Sequence, residues 1–118
     1  MDFAHYIGGE WVGDSDVTTN TSPANRDDVI GTYARGDAAR VDQAVSAALA
    51  AQPSWAAASP QLRHDVLERA GALIVERKDE LGRLLAREEG KTIAEAVGET
   101  LRASQVFKFF AGEALSLI

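Results

Sequence analysis

The residues best suited to bind a small molecule lie late in the sequence. Arg102, Val106 and Phe109 are spaced by four and three residues, so on a helix they share one face, with Gln105 at its flank. A guanidinium group binds a carboxylate through two parallel hydrogen bonds, and a phenylalanine beside it supplies an apolar wall. This pattern predicts a slot for an anionic substrate. The alternative is a surface arginine paired with Glu99, three residues earlier, and the sequence alone favours that simpler interpretation.

A second short motif superficially resembles a nucleotide-binding loop. Glu89-Gly90-Lys91-Thr92 contains the Gly-Lys-Thr of a Walker A loop, but position 85, where that loop needs its first glycine, is a leucine in a predicted helix. A glycine that ends one helix and a threonine that caps the next explain the same residues. Gly8-Gly9 is likewise a hairpin turn, because no glycine-rich strand-to-helix unit surrounds it. Neither motif predicts a cofactor-binding residue.

No catalytic residue can be assigned from the sequence. The chain has no cysteine, which excludes a thiol nucleophile, a thiolate metal site and a disulfide scaffold. His5 and His64 are about sixty residues apart and have no acidic or serine partner at a recognisable spacing, so we expect structural or exposed roles. Glu88 and Glu89 are adjacent and point to different helix faces, which makes a paired acid and base improbable.

The elements that hold these residues change in kind near position 36. Before it, the sequence predicts short strands and turns over residues 1–35. They comprise a hairpin around Gly8-Gly9, a Thr/Ser/Asn-rich stretch broken by Pro23, and a strand over residues 29–34. From position 36 onward, over residues 36–118, the apolar residues recur with a helical period.

Three helices are predicted in this second part. Asp37 caps the first, which we expect to end at Pro53. The second begins after a Ser59 cap, and its apolar periodicity continues to Gly90. The third begins at a capping box opened by Thr92 and reaches the last residue without a stop signal. We therefore expect the chain to be a segment of a longer protein.

Composition limits the classes of function. The hydrophobic share of 46% is ordinary for a globular protein, and the formal net charge of −6 argues against nucleic acid or an anionic membrane as the main partner. No run approaches the ~18–20 apolar residues of a membrane span, and no secretory leader opens the chain. We expect a soluble, cytoplasmic protein.

Several segments together resemble the aldehyde dehydrogenase superfamily, in its order and spacing and over essentially the whole chain. They are Tyr6-Ile-Gly-Gly-Glu-Trp-Val12, the Ser22-Pro-Ala-Asn25 turn, Gly36 to Val45, Trp55, the Arg63 to Ile74 helix and the Glu89-Gly-Lys-Thr92 turn. The run from Arg102 to Glu113 is most similar to members that act on oxo-acid semialdehydes, such as 2-oxoglutarate semialdehyde (2,5-dioxovalerate) dehydrogenases.

The resemblance implies the N-terminal segment of an α/β enzyme, here short N-terminal strands followed by three helices. Residues 36–118 would be the helical part of the cofactor-binding domain, truncated before the nucleotide-binding sheet. The complete enzyme would be a homo-oligomer that oxidises a small-molecule aldehyde to a carboxylate with NAD or NADP, through a catalytic cysteine. Because this chain has no cysteine, we expect it to be inactive by itself.

The resemblance also implies two lesser sites. The third helix of the family borders the substrate tunnel, so the candidates for tunnel lining are Arg102, Gln105 and Phe109. This leaves anion binding and surface pairing of the arginine equally open. Some members hold a structural monovalent cation, and by position its ligands would be backbone oxygens of Asn20 or Thr21 together with Glu88.

An interpretation from a different class also stays open. The chain could be a free-standing helical module that self-associates or binds another protein without catalysis. Its contact surface would be the exposed apolar residues Phe107, Phe109, Phe110 and Leu117. The missing stop signal of the third helix and the early strands without a larger sheet favour the enzyme segment.

Overall fold

A computed structural model of the chain describes residues 2–116, in which short strands precede helices, as predicted. The strands are β1 (Asp2–Phe3), β2 (His5–Ile7), β3 (Glu10–Val12), β4 (Val17–Ser22) and β5 (Asn25–Ala34). The helices are α1 (Ala38–Ala57), α2 (Pro60–Glu76), α3 (Lys78–Glu89) and α4 (Ile93–Ser116). Contacts divide the chain into two compact units between Ala56 and Ala57. None of the described helices is long and apolar enough to cross a membrane.

The first unit contains the predicted hairpin and a three-stranded sheet. β2 and β3 pair antiparallel, and the turn between them places Gly8 at φ 63° and Gly9 at φ 89°, a conformation that favours glycine. In the sheet, β5 pairs antiparallel with β4 and parallel with β1. The Thr/Ser/Asn-rich stretch is therefore mostly strand, since threonine suits a pleated surface, and Pro23 lies in the turn that joins β4 to β5.

The first helix begins as predicted but continues further. The Asp37 carboxylate accepts a hydrogen bond from the backbone N–H of Arg40 at 2.9 Å, which is an N-cap. The prediction that Pro53 ends the helix was wrong, because α1 continues to Ala57. A proline in this position removes one backbone hydrogen bond, whereas the surrounding alanines have the highest helix propensity. Trp55 consequently lies within the helix rather than in a connection.

The second unit contains three helices where the periodicity of the sequence predicted two. The segment from Ser59 to Gly90 is two helices, α2 and α3, which are separated at Arg77. Ser59 is the predicted cap, because its hydroxyl accepts from the N–H of Leu62 at 3.2 Å. The Arg77 guanidinium binds both carboxylate oxygens of Glu80 in the first turn of α3. Both segments pack against α4, and the break lets each follow that partner.

Small residues form the interface between these helices. The residues of α4 that are buried are Ala96, Thr100, Ser104, Ala111 and Ala114. The Ser104 hydroxyl donates to the carbonyl of Gly71 at 2.8 Å, and a Cβ atom at Gly82 would lie 2.5 Å from Val97 Cγ2. Close approach of the helices therefore depends on side chains that are absent or short. Larger apolar side chains on the remaining faces stay exposed, including those of α4 described next.

Candidate functional site

A shallow cavity lies on the side of α4 that faces away from α2. It has a volume of about 400 Å³ and is lined by Arg102, Gln105, Val106, Phe109 and Phe110, which we call the α4 hollow. These residues follow at helical spacings, so one face of one helix provides the whole lining. The structure thus brings together the three residues that the sequence predicted for a substrate tunnel. A hollow built by one helix is a single wall, and a closed pocket needs a second one.

The apolar part of the hollow is aromatic and open. The rings of Phe109 and Phe110 meet edge to face, with centroids 5.3 Å apart, and the Phe109 side chain is 62% exposed. The opposite side of the same helix packs against α2 through its buried small residues. A helix with apolar residues on two opposite sides is typical of a buried position in a larger protein.

The polar part of the hollow is an arginine that has no counter-ion among the described residues. Arg102 Nη1 donates to Gln105 Oε1 at 3.0 Å, and within residues 2–116 it makes no ion pair. The alternative pairing with Glu99 does not form. That carboxylate instead accepts two hydrogen bonds from Lys91 Nζ, at 2.7 and 2.8 Å. Among the described residues the guanidinium is thus hydrogen-bonded to a neutral amide and to no carboxylate, which leaves its charge available to an anion.

Lys91 occupies the junction between α3 and α4. Its ammonium group contacts the carboxylate of Glu89 as well as that of Glu99, and its side chain is only 22% exposed. The hydrogen bonds that Lys91 donates to Glu89 and then to Glu99 raise its pKa above the ordinary value. Gly90 precedes it at φ 71° and donates its N–H to the carbonyl of Ala86, which is a left-handed helix end. The Gly-Lys-Thr residues thus form a helix end and a lysine that contacts two carboxylates.

The predicted capping box opens α4. The Glu95 carboxylate accepts from the backbone N–H of Thr92 at 3.2 Å and from its hydroxyl at 2.6 Å. The N–H of Glu95 donates in return to the Thr92 hydroxyl oxygen at 3.3 Å. These hydrogen bonds lower the pKa of Glu95. The two acidic side chains that precede the hollow on α4, Glu95 and Glu99, therefore already accept hydrogen bonds from Thr92 and Lys91.

A second polar cluster lies in the first unit and was missed by the sequence analysis. The Asp14 carboxylate lies 3.0 Å from Nε2 of His5 and accepts hydrogen bonds from Nε and Nη2 of Arg40 at 3.1 and 2.5 Å. The bond from Arg40 is the main cause that lowers the pKa of Asp14. The cluster ties β2, the segment after β3 and α1 together, so His5 does have an acidic partner. Partners nine and twenty-six residues apart leave no periodic signal in the sequence.

His64 also has a structural partner. Its Nδ1 lies 2.9 Å from the carbonyl oxygen of Ala111, so the imidazole joins α2 to α4. Neither histidine lies among the residues of the α4 hollow.

Comparison with known proteins identifies the family. A sequence model of the aldehyde dehydrogenase family matches residues 11–117. An alpha-ketoglutarate semialdehyde dehydrogenase of Haloferax volcanii is 38% identical over 115 residues, and a betaine aldehyde dehydrogenase of Rhizobium etli is 40% identical over 114. The fold matches the crystal structure of an NAD-dependent aldehyde dehydrogenase from Sinorhizobium meliloti with a TM-score of 0.94 and 28% identity.

This chain belongs to the aldehyde dehydrogenase family.

The match covers nearly all of this chain but only part of each relative. The alignments include 96%, 94% and 99% of the chain, which correspond to 24%, 23% and 24% of the three aldehyde dehydrogenases. The chain thus spans about a quarter of their length. The predicted family and the predicted fold class are confirmed, with four helices in place of three.

The residues implied for a cation site lie in different parts of the chain. Asn20 and Thr21 are in β4, next to an irregularity in its pairing with β5, whereas Glu88 is in α3. Among residues 2–116, no group of three or more His, Cys, Asp or Glu side chains could hold a metal ion. A monovalent cation bound by backbone oxygens in this aldehyde dehydrogenase segment stays a prediction.

Proposed function

We propose that the chain is the N-terminal part of an NAD- or NADP-dependent aldehyde dehydrogenase that oxidises an acidic semialdehyde to a dicarboxylate. Membership of the family supports aldehyde oxidation. The name of the Haloferax relative supports a substrate with a carboxylate at its far end. The complete enzyme is a cytoplasmic homo-oligomer whose partner is a small molecule, without nucleic acid or membrane.

The observation that carries the substrate class is the unpaired arginine of the α4 hollow. A semialdehyde places a carboxylate several bonds from the reacting carbonyl, and Arg102 can bind it through two parallel hydrogen bonds. Phe109 and Val106 beside it offer an apolar surface to the methylene chain. Betaine aldehyde, which names another relative, carries a positive charge that an arginine would repel. The arginine therefore favours the acidic substrate, while overall identity does not decide between them.

The described residues position the substrate and leave the cofactor to the rest of the enzyme. NAD or NADP supplies the hydride acceptor when bound. The only motif here that resembles a phosphate loop has its lysine held by Glu89 and Glu99, so we assign no cofactor contact to it. The chain also has no cysteine to act as the nucleophile. We therefore expect the purified 118-residue chain to show no aldehyde-dependent reduction of either cofactor, and measurable turnover would contradict this.

The substrate class is tested in the complete enzyme that contains this segment. Arg102→Met is compared on an acidic semialdehyde and on the neutral aldehyde of equal chain length. A hydrogen bond to a charged group contributes about 1.5–3 kcal/mol. We therefore expect kcat/KM for the acidic substrate to fall by roughly 10- to 100-fold relative to the neutral one. The fall should appear mainly as a higher KM.

A matched control for this experiment is Lys108→Met. This substitution also removes one positive charge from α4. Lys108, however, lies on the α2 side of the helix, where its Nζ is 3.4 Å from Glu68. We expect Lys108→Met to change kcat/KM only slightly, and by the same factor for the acidic and the neutral substrate. Equal effects of Arg102→Met on acidic and neutral aldehydes would remove the arginine as the anion anchor.

The alternative of a free-standing interaction module gains no support from the relatives. Its surface would include Phe107, Phe109 and Phe110, which are exposed, and Leu117, which lies outside the described residues. A longer enzyme explains the same exposed residues as faces that its other segments cover. The isolated chain should therefore self-associate through them. A monomer in sedimentation velocity that unfolds cooperatively would favour the module.

A further inference from the structure

The unpaired state of Arg102 depends on what happens to the acids near it. Glu99 lies three residues before it on α4, a spacing at which oppositely charged side chains normally meet. Glu95 lies seven residues before it, on the same face. A free carboxylate at either position would compete with any substrate anion for the guanidinium.

Both acids are held by other donors. Glu95 is hydrogen-bonded within the capping box with Thr92. Glu99 gives both oxygens to Lys91 Nζ, at 2.7 and 2.8 Å, although its side chain is 57% exposed and could otherwise sample many rotamers. Lys91 itself is far less exposed and is fixed at the helix junction by a second carboxylate, that of Glu89.

We propose that Lys91 is a positioning residue for anion binding. By holding Glu99, it keeps the Arg102 guanidinium free for the carboxylate of the substrate. This inference rests on the proposed function, since it assigns Lys91 a role only if Arg102 binds an anion. The hydrogen bonds that Lys91 donates to Glu89 and Glu99 hold its pKa above the ordinary value, so the ammonium and these carboxylates carry opposite charges throughout the neutral range.

The chemistry predicts a specific consequence of removing the lysine. In Lys91→Met, the Glu99 carboxylate is released and pairs with Arg102 across one helical turn. An exposed ion pair of this kind is weak, so it should compete with an anion by about two- to fivefold rather than abolish binding. Removing Glu99 as well should restore binding, because nothing is then left to occupy the arginine.

The experiment uses the ¹⁵N-labelled complete enzyme that contains this segment, with glutarate as the probe, because the isolated chain is expected to self-associate through phenylalanines that line the α4 hollow. The Nε–H signal of Arg102 reports the contacts of the guanidinium. Isothermal titration calorimetry gives the dissociation constant of glutarate, also for Arg102→Met, in which that signal is absent. We expect Lys91→Met to shift this signal without probe and to weaken glutarate binding about two- to fivefold. Lys91→Met/Glu99→Gln should return both the signal and the dissociation constant to the values of the wild type.

Lys78→Met is the matched control for the loss of one positive charge. Lys78 opens α3 and pairs with Asp79, about 18 Å along that helix from the junction at 1.5 Å per residue. It should leave the Arg102 signal unchanged. Should Lys91→Met disturb the fold in circular dichroism, Glu99→Gln serves as the background. In that background the added Lys91→Met should have no effect on the dissociation constant.

The outcomes separate the two proposals. If Arg102→Met leaves glutarate binding intact, or if glutarate does not shift the Arg102 signal in the wild type, the proposed anion anchor is wrong and this inference falls with it. If Arg102→Met abolishes binding but Lys91→Met changes neither the signal nor the dissociation constant, the anchor stands and Lys91 has no positioning role. An equal effect of Lys78→Met and Lys91→Met would reduce the role of Lys91 to its net charge.

Discussion

Replacing Gly82 with alanine tests the close approach of α3 and α4. A Cβ atom at this position would lie 2.5 Å from Cγ2 of Val97, 3.0 Å from its Cα and 3.1 Å from its backbone nitrogen. The valine methyl group can turn away, but the Cα and nitrogen atoms belong to the backbone of α4. Carbon atoms normally rest about 3.5–4.0 Å apart, so the two helices must separate by roughly half an ångström or more.

Two opposing terms set the size of the effect. Alanine is the better helix former by about 1 kcal/mol, which alone would stabilise α3. Overpacking a close contact typically costs about 1–3 kcal/mol, and separating the helices also weakens their remaining van der Waals contacts. We therefore expect Gly82→Ala to lower the free energy of unfolding by about 1–2 kcal/mol. The sign is opposite to the one that helix propensity predicts.

Gly98→Ala is the matched control in the neighbouring helix. A Cβ atom there meets nothing within 4 Å, so the propensity term acts alone and should raise the free energy of unfolding by about 0.5–1 kcal/mol. Urea unfolding followed by circular dichroism at one fixed low protein concentration measures both variants against the wild type. A Gly82→Ala chain that is as stable as the wild type, or more so, would refute the geometry of this helix crossing.

The remaining predictions concern the helix junction and the acid range. Gly90→Ala should destabilise the chain by about 1–2 kcal/mol because of its positive φ, and Gly90→Asn by less, so equal losses in urea unfolding would contradict the left-handed helix end. Thr92→Ala should cost about 0.5–2 kcal/mol in the same measurement, because the capping box is lost; an unchanged stability would count against it. Asp14 has a folded pKa below its unfolded value, mainly through its hydrogen bond with Arg40. Its stabilising contribution is therefore present above the unfolded pKa of about 3.9 and is lost as the pH falls through the lower folded pKa. Asp14→Asn should accordingly flatten the loss of stability in acid, whereas Asp16→Asn, at an exposed and longer ion pair, should not.

The features that could be predicted from the sequence are local. The turn at Gly8-Gly9, the cap at Ser59 and the capping box at Thr92 each involve partners within four residues, so backbone preference and side-chain reach decide them. The approximate extent of α4 followed from the same local information and from its apolar period.

Other features depended on partners that are distant in sequence. The break at Arg77 has no proline or glycine to mark it and follows from how α2 and α3 both pack on α4. Gly71 and Gly82 lower helix propensity, yet each stands where α4 approaches closely: a Cβ atom would lie 3.1 Å from Lys108 Cγ at Gly71 and 2.5 Å from Val97 Cγ2 at Gly82. Periodicity within one helix contains no information about such contacts.

The candidate site divides in the same way. The residues of the α4 hollow could be named from their spacing, because helix geometry places Arg102, Gln105 and Phe109 on one side. The spacing could not show whether Arg102 is paired with an acidic side chain. The sequence favoured a pair between Arg102 and Glu99 on the same helix. In the structure, Glu99 instead accepts two hydrogen bonds from Lys91, which lies in the junction before α4.

The sequence by itself determined the family, the order of strands and helices, and the face of α4 that carries a cation beside aromatic rings, since all of these follow from residue type and spacing. Only the tertiary structure decided which charges are paired. Ion pairs between exposed side chains are weak and nearly equal in energy, so the choice between Glu99–Arg102 and Glu99–Lys91 depends on where the backbone brings each donor. Here the left-handed turn at Gly90 and the capping box at Thr92 bring the ammonium group of Lys91 within hydrogen-bond distance of Glu99.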